Sequence, residues 1–500
     1  MPKWFRNAII VLLCIAFVAT RFWRLTDSCL WFDEIFSIHA ASLEWNSLFQ
    51  FIAQDIIHPP LFYVLLKLWI AIGGDGLAWV RAFPVFFACC SIIPVLSIPR
   101  VMERSSGTPI ILLSFLVANG AILKYSQEVR MYSLLMCLSL FSIWIFTKYF
   151  TKGKNYVPLI IINVLMVWTH YFGWFVVVAE VAAILYFQRI KWRRILIMFS
   201  IVVASFVPWV IAVLQASGDG GGVAQNIGWM QRPGLRSLTT FVFNLVEPFY
   251  CQASSVEPIS VYRVTLPIFA ILTAAISIYF SGWNRKTDDE RQHVKLFAFF
   301  AAIPLVLAFV VSWISPYSIW GTRHLIIVFV PAFILFAIIL DGISIKWLRT
   351  TALTLLVLFG VYGAYTQFSS QSPKFSWCCW EPLTTSVDVP ADATIYAFED
   401  LVAYHVWFAN RGTKRKVVRV VGMPNVTEDK AYFLPRGFDD IASVDASAIE
   451  QPNIFIVYRA KTYDESSSPI KTLIDNGYRI KAETIIDASN EQAILVHLKR

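Results

Sequence analysis

The chain has 500 residues, 57% of them hydrophobic and only 15% charged, with a mean hydropathy of +0.61 and a formal net charge of +9. A soluble globular domain is roughly half apolar and about a quarter charged, so this balance excludes one and marks a polytopic membrane protein, expected to be all-α because its apolar runs, taken below, read as spanning helices. The positive charge does not indicate a nucleic-acid partner, because most Lys and Arg residues fall in short loops between apolar runs, where they report topology.

Met1–Asn7 carries Lys3 and Arg6 ahead of an apolar run from Ala8 to Trp23. No convincing small-residue cleavage site follows, and Arg21, Trp23 and Arg24 come at once, so the run reads as a retained helix with a cytoplasmic N-terminus rather than a signal peptide. Next comes Trp31–Leu61, with the adjacent carboxylates Asp33 and Glu34, a polar-aromatic interval read as loop, and a His58-Pro59-Pro60 corner. Leu61–Gly73 is apolar but short: at 1.5 Å per residue it reaches about 20 Å, against a hydrocarbon core of roughly 30 Å. It is therefore expected to lie along, or dip into, the exoplasmic face.

Leaving that helix out gives eleven expected spans, near residues 8–24, 78–98, 109–124, 131–149, 156–172, 174–188, 195–214, 259–281, 296–314, 322–340 and 350–367. With this count the basic groups at Arg100/Arg104, Lys148/Lys152/Lys154, Arg189/Lys191/Arg193/Arg194, Arg285/Lys286/Arg291/Lys295 and Lys346/Arg349 all become cytoplasmic, as the positive-inside rule requires. If Leu61–Gly73 crossed, every loop from Arg100 onward would change sides. An odd count sends the tail outside.

Four segments then face the exoplasm: Trp31–Pro60, the turn Lys124–Tyr132, the loop Ala216–Pro258, and Ser315–His324. They bring Asp33, Glu34, Glu128, Arg130, Arg323, His58, His170 and His324 to one membrane face. Ionisable groups in so apolar a chain are costly and mark a functional site. Each also has a plainer account. Asp33 and Glu34 can cap a loop, Glu128 and Arg130 can form an ion pair within their turn, and Arg323-His324 can anchor the chain at the headgroups. His170, in WTHYFGW, reads better as an aromatic-belt histidine than as a catalyst. Taken together, the set suits one chemistry: a carboxylate acts as base on an acceptor hydroxyl while guanidinium groups hold a phosphate and stabilise it as leaving group. The natural substrate is a sugar on a lipid phosphate.

The early Asp-Glu, HPPLFYVLLKLW, the Arg81-containing WVRAFP, YSQEVRMYSLL, WTHYFGW and TRHLIIVFVP occur in an order that resembles the bacterial GT-C glycosyltransferases. The branch is the dolichyl-phosphate-mannose protein mannosyltransferase-like family 39 and RgtA/B/C/D-like group, related to the lipid A aminoarabinose transferases. The resemblance covers about the first 340 residues. It implies a bacterial inner-membrane enzyme of the cell envelope that uses a polyprenyl-phosphate sugar donor, inverts the anomeric carbon, and glycosylates a lipid, glycan or protein acceptor. It assigns Asp33 as base or acceptor-orienting group with Glu34 in support. Arg130, Arg323 and His58 become donor-phosphate ligands, with Glu128, Tyr132, Arg81 and His324 supporting them. Some relatives bind a divalent cation at these loops, for which Asp33, His58 and Glu128 are the candidates here; others need none.

Two features depart from the family. Ala216–Pro258 is short and holds Gly218–Gly222, a run that suits a mobile segment or a plain linker, and the C-terminal region has the composition of a soluble domain. The domains are thus read as 1–367, membrane transferase, and 368–500, a small exoplasmic α/β domain. In it ATIYAFED, KVVRVVG, NIFIVYRA and EQAILVHLK are strands, and LVAYHVWFANRG and SSPIKTLIDNGYRI helices. It shows no Gly-rich phosphate loop and no metal-spaced His or Cys. Cys14, Cys89, Cys90 and Cys137 lie in apolar spans, whereas Cys29, Cys251, Cys378 and Cys379 lie outside, where Cys378 or Cys379 is expected to bridge to Cys251 or Cys29. Asn425-Val-Thr427 is a glycosylation sequon. A lipid-linked-sugar flippase should instead place ionisable groups near the bilayer midplane in broken helices, and a glycan ligase or polymerase relies on a long loop with paired Arg and His. The early Asp-Glu and the clustering of charge at one face favour the monosaccharide transferase.

Overall fold

The computed structural model describes residues 2–104, 107–152, 156–187, 192–216, 227–228, 230–248, 262–369, 375–386, 388–421, 441–489 and 491–500. Cys251, the sequon and the Gly218–Gly222 run lie outside these residues. So far as it is described, the chain forms two compact units, one from Met1–Leu25, Ile56–Asp219 and Met230–Gln371, the other from Thr26–Asp55, Gly220–Trp229 and Ser372–Arg500. The early acidic segment therefore clusters with the C-terminal region rather than with the helices that flank it in sequence.

From the N-terminus the helices are α1 (Lys3–Phe22), α2 (Phe32–Ser42), α3 (Trp45–Asp55), α4 (Leu61–Gly73), α5 (Leu77–Cys90), α6 (Ile92–Val101), α7 (Thr108–Ala118), α8 (Gly120–Gln127), α9 (Tyr132–Lys152), α10 (Val157–Thr169), α11 (Gly173–Phe187), α12 (Trp192–Ala216), α13 (Leu235–Val246), α14 (Tyr262–Ser281), α15 (Asp288–Ile314), α16 (Ile326–Asp341) and α17 (Lys346–Ser369). All except α2 and α3 belong to the larger unit. Among the described residues seven helical stretches are long and apolar enough to cross a membrane, and eight if the bent pair α7–α8 is one span. The other expected spans are α10, α11 and α16, helices of 13, 15 and 16 residues. The result is a bundle of apolar helices, polytopic by length and composition, and a small C-terminal α/β sheet region.

Burial ranks the helices. α16 is covered along almost its whole length, from Ile326 to Leu340, as befits a segment apolar on every side and surrounded by others. α1 and α17 leave most of their apolar surface outside, where lipid replaces protein as the partner. α4 folds back against α5: the Trp69 and Trp79 indole N–H groups each donate to the other's carbonyl, at 2.9 and 3.0 Å, and their rings stack 4.6 Å apart.

Two segments read as loops are helical. The interval after Trp31 holds α2 and α3. α2 is nucleated by its own acid, since Glu34 Oε2 reaches back to accept the Trp31 backbone N–H at 3.2 Å, satisfying a donor that the helix leaves open, at the end where negative charge is favoured. α13 occupies part of the Ala216–Pro258 loop.

The smaller unit centres on a six-stranded sheet of β1 (Thr394–Ala397), β2 (Lys416–Val421), β3 (Ala442–Asp445), β4 (Asn453–Ala460), β5 (Arg479–Asp487) and β6 (Gln492–Lys499), in the order β3-β2-β1-β4-β6-β5. β1 to β4 run parallel, and β6 pairs antiparallel with both β4 and β5. Helix α18 (Trp380–Thr384) precedes β1, α19 (Asp400–Ala409) connects β1 to β2, and α20 (Ile470–Asp475) precedes β5. β4 is buried on both faces from Ile454 to Tyr458, which its unbroken apolar run foretells. β3 and β5 escaped the sequence reading because they are edge strands with mostly exposed side chains and no apolar alternation; the stretch read as the end of a helix and a turn supplies the start of β5.

A disulfide between Cys29 and Cys378, 5.2 Å apart at Cα, fastens the α2 segment to the sheet region, and Cys379 is free and buried. It selects one of the expected pairings. Around it, His39 of α2 meets the Tyr404 hydroxyl at 2.9 Å and packs on Trp407, with ring centroids 4.9 Å apart. Burial lowers His39 to about 4, and burial together with the Arg459 charge lowers His405 to about 3. Loss of the disulfide should cost about 2–5 kcal/mol. Cys29→Ser is accordingly expected to lower the melting temperature, with reductant doing the same to the wild type and nothing more to the variant. A second expectation concerns acid. Folded His39 and His405 stay neutral while the unfolded chain takes up protons below about pH 6.5. The stability they contribute is complete above that pH and drains away as pH falls towards 4, by roughly 3 kcal/mol for His39. Melting followed by tryptophan fluorescence should show this slope, and His39→Gln should flatten it.

Candidate functional site

The larger unit gathers its polar side chains where helices end. The assembly begins with an interruption: α7 and α8 meet at a 63° bend at Asn119. In hydrocarbon an interrupted helix must have its freed backbone groups satisfied. Asn119 Oδ1 accepts the Ile122 N–H at 2.9 Å and starts α8, while its Nδ2 is shared among the carbonyls of Asn244, Leu245 and Glu247 at the end of α13. The carbonyls that end α7 are met by Arg21, wholly buried, whose Nη2 donates to Leu116 O at 2.6 Å and Nη1 to Val117 O at 3.3 Å. The far end of α8 is held by Gln127, whose Nε2 donates to the carbonyls of Arg21 and Trp23 at 3.0 and 2.7 Å.

This frame fixes the turn Glu128–Met131 that precedes α9. The Arg130 N–H donates to Glu128 O at 2.6 Å, and both side chains are buried. Arg130 Nη1 lies 3.4 Å from the Tyr63 hydroxyl in the first turn of α4, and Nη2 lies 3.3 Å from His58 Nε2. A guanidinium has only donors, so the imidazole accepts and His58 is neutral. Two residues upstream Ile56 has φ +68°, a costly value for a β-branched residue. Its carbonyl is pinned by the Tyr171 hydroxyl at 2.9 Å, which itself accepts from Trp209 Nε1 at 3.2 Å.

His170 ends α10 and stands against this group, its ring 5.5 Å from His58 and 5.3 Å from His324. His170 Nδ1 accepts the Phe172 N–H at 3.1 Å, so the ring proton sits on Nε2, which is buried and has no partner among the described residues. His58, Arg130 and Arg323 all act on it electrostatically. His324 and Arg323 enter from the turn before α16, and His324 Nδ1 donates to Ile319 O at 3.2 Å. Gly321 makes that placement feasible, since a Cβ there would come within 3.1 Å of His324 Nδ1. Tyr132, the first residue of α9, lies 6.1 Å from the His324 ring.

The larger unit thus brings His58, Arg130, Tyr132, His170, Arg323 and His324 together from four chain segments. His170 is corrected from a belt residue to a member of the cluster; its signal in sequence was a polar ring followed by a helix-breaking turn at Phe172-Gly173. Arg81 is buried and donates through Nη1 to Leu25 O at 2.9 Å, tying α5 to the end of α1. Asp33 and Glu34 occupy the first turn of α2 in the smaller unit, with Glu34 buried. Sequence reasoning missed Tyr63, Arg21 and Asn119. Only Arg21, a cation at the end of an apolar run, left a visible trace. Among the described residues no group of three His, Cys, Asp or Glu side chains is arranged to hold a metal ion. Chemically, two buried guanidiniums and an imidazole N–H present positive charge and hydrogen-bond donors in one place.

No family model matches the sequence, and neither does any curated protein. The fold is of the GT-C type, that of ArnT from Cupriavidus metallidurans, matched at a TM-score of 0.58 in the apo state and 0.60 in the structure bound to undecaprenyl phosphate. Identity is 11% in both, over 98% and 99% of this chain and 98% of ArnT. The Archaeoglobus fulgidus oligosaccharyltransferase in complex with Zn and sulfate gives 0.48 at 12% identity, over 82% of this chain and 62% of that one.

Asn119→Ala should open both helix ends that this amide serves and destabilise the larger unit by about 1–3 kcal/mol. Asn119→Asp, which keeps the acceptor for Ile122 but turns an oxygen towards the Asn244, Leu245 and Glu247 carbonyls, should lose at least as much. Thermal unfolding in detergent measures both.

Proposed function

We propose that the protein transfers a sugar from a polyprenyl-phosphate donor to an acceptor hydroxyl. The observation that carries this reading is the buried cluster of Arg130, Arg323, His58 and the unpartnered His170 Nε2–H, set in a fold shared with a protein crystallised with undecaprenyl phosphate. In this scheme Arg130 and Arg323 hold the donor phosphate, with His170 Nε2–H as a further donor and His58 and Tyr63 orienting the Arg130 fork. Tyr132 and His324 wall the site, Glu128 shapes the turn that presents Arg130, and Arg81 anchors the neighbouring helix end. Asp33 acts as base, with Glu34 fixing the start of its helix.

The reaction is a single displacement. The acceptor oxygen attacks the anomeric carbon as its proton passes to Asp33, and the carbon–oxygen bond to phosphate breaks with its electron pair leaving on the phosphate, so the anomeric configuration inverts. Charge that develops on the leaving phosphate is met by preformed donors in a site that excludes water. No step is routed through a metal ion. We assign the protein to the bacterial inner membrane with a cytoplasmic N-terminus, and the smaller unit to the periplasmic side, where the Cys29–Cys378 disulfide can persist.

A second reading, transport of a lipid-linked sugar, is favoured by two observations. The span α7–α8 is broken, and Glu180, well inside α11, is a buried acid away from the cluster of charges at the helix ends. The latter corrects the expectation that charge gathers at one face. Transfer of labelled sugar from a panel of polyprenyl-phosphate monosaccharides by purified protein in nanodiscs decides between them. Asp33→Asn should reduce turnover by about a hundredfold or more with donor binding retained. Arg130→Ala should weaken donor binding roughly tenfold to a hundredfold. Donor binding with no product from any acceptor, unaffected by Asp33→Asn, supports transport instead.

A further inference from the structure

Three helices of the larger unit, α9, α10 and α11, each contribute one buried polar side chain to a contact away from the site. Ser142, Asn163 and Glu180 are 0%, 3% and 3% exposed. Ser142 Oγ lies 2.6 Å from Asn163 Oδ1 and is hydrogen-bonded to Glu180 Oε1, and Asn163 Nδ2 lies 2.6 Å from Glu180 Oε2. The three side chains close a ring.

Counting protons decides the state of that ring. Three contacts need three hydrogens. The serine hydroxyl supplies one, and the amide nitrogen, which faces a single neighbour, supplies one. An ionised carboxylate supplies none, so one contact would set two oxygen lone pairs against each other. Turning the amide over does not help, because Asn163 Oδ1 would then face Glu180 Oε2 and the gap would move there. Only a carboxylic acid completes the set: Glu180 Oε1–H donates to Ser142, Ser142 Oγ–H to Asn163 Oδ1, and Asn163 Nδ2–H to Glu180 Oε2.

The surroundings agree. A cavity of about 20 Å³ lies against Asn163 and Glu180, and its remaining walls, among them Ile160, Val177, Met198, Phe199 and Val202, are apolar and bear no charge. It has room for about one water. An ionised, unpaired carboxylate in such a place is expensive.

We propose that Ser142, Asn163 and Glu180 form a proton-binding site within the helical bundle, with Glu180 held as a neutral carboxylic acid whose proton locks α9, α10 and α11 together. These helices carry Tyr132, His170 and the turn before Gly173, so the ring is a positioning device for the anion cluster. The proton count stands whether or not the transferase reading does.

Infrared difference spectroscopy of the full chain in nanodiscs at neutral pH tests it. The wild type should show the carbonyl stretch of a protonated carboxylic acid, sensitive to exchange into heavy water, and Glu180→Gln should lose that band. Glutamine closes the same ring without a titratable proton, so this variant should melt with the wild type, whereas Glu180→Ala and Ser142→Ala should melt lower. In Ser142→Ala the band should remain but shift in frequency. A band unchanged by Glu180→Gln overturns the proposal. So does a Glu180→Gln variant that melts as low as Glu180→Ala, because Glu180 would then be needed as an anion.

Discussion

An apolar helix crossing hydrocarbon cannot be interrupted unless the backbone groups it frees are met by the protein itself, and the break between α7 and α8 shows how this chain meets that constraint. Two side chains do most of it. Arg21 covers the carbonyls that end α7, and Asn119 serves the start of α8 with its oxygen and the end of α13 with its nitrogen. Because the break is fixed, α8 can end where Gln127 is tied to α1, and the turn carrying Arg130 is delivered against α4 and the His58 corner. The polar cluster is thus a consequence of satisfied helix ends, which is where a membrane bundle can hold cations out of lipid.

The cluster is also economical with protons. His58 faces a guanidinium and must be neutral, while His170 gives its δ nitrogen to a backbone N–H and so presents Nε2–H inward. His324 keeps its δ proton for Ile319 O. The backbone and Arg130 therefore hold the three rings in place and leave His58 and His170 uncharged, so that the fixed positive charge of the site rests on Arg130 and Arg323. Deeper in the bundle the ring of Ser142, Asn163 and Glu180 solves the converse problem, an acid among apolar walls, with a proton in place of a counter-ion.

Legibility in the sequence followed burial pattern and distance along the chain. Each expected span falls on helical chain, 78–98 on α5 and α6 and 109–124 on the bent pair α7–α8, because apolar runs that long admit no other satisfied backbone in lipid. β4 was legible as an unbroken apolar run, whereas β3 and β5, exposed edge strands, carry no period to read. α2 and α3 were missed for a different reason: each has only 11 residues, α2 is buried nearly all round and so shows no amphipathic period, and Trp31–Pro60 is rich in polar and aromatic residues that suit a loop as well. Arg130, Arg323 and His58 were found because charged or ring residues beside prolines and at helix ends are rare in such a chain. His170 was undervalued, since an aromatic neighbourhood has the same composition at a lipid interface as around a buried imidazole. Glu180 was passed over because a single acid does not break an otherwise apolar helix.

The sequence by itself determined the class of protein, the helical runs, the soluble-type composition of roughly the last quarter and the inventory of charged groups, because these follow from composition and from backbone hydrogen bonds closed locally. Only the tertiary structure decided which ends meet: that α2 clusters with the C-terminal sheet through Cys29–Cys378, that His170 joins His58 and His324, and that Ser142, Asn163 and Glu180 close a hydrogen-bonded ring. Those pairings join residues from 17 to 349 positions apart. They depend on how whole helices pack, and no local period or spacing encodes that.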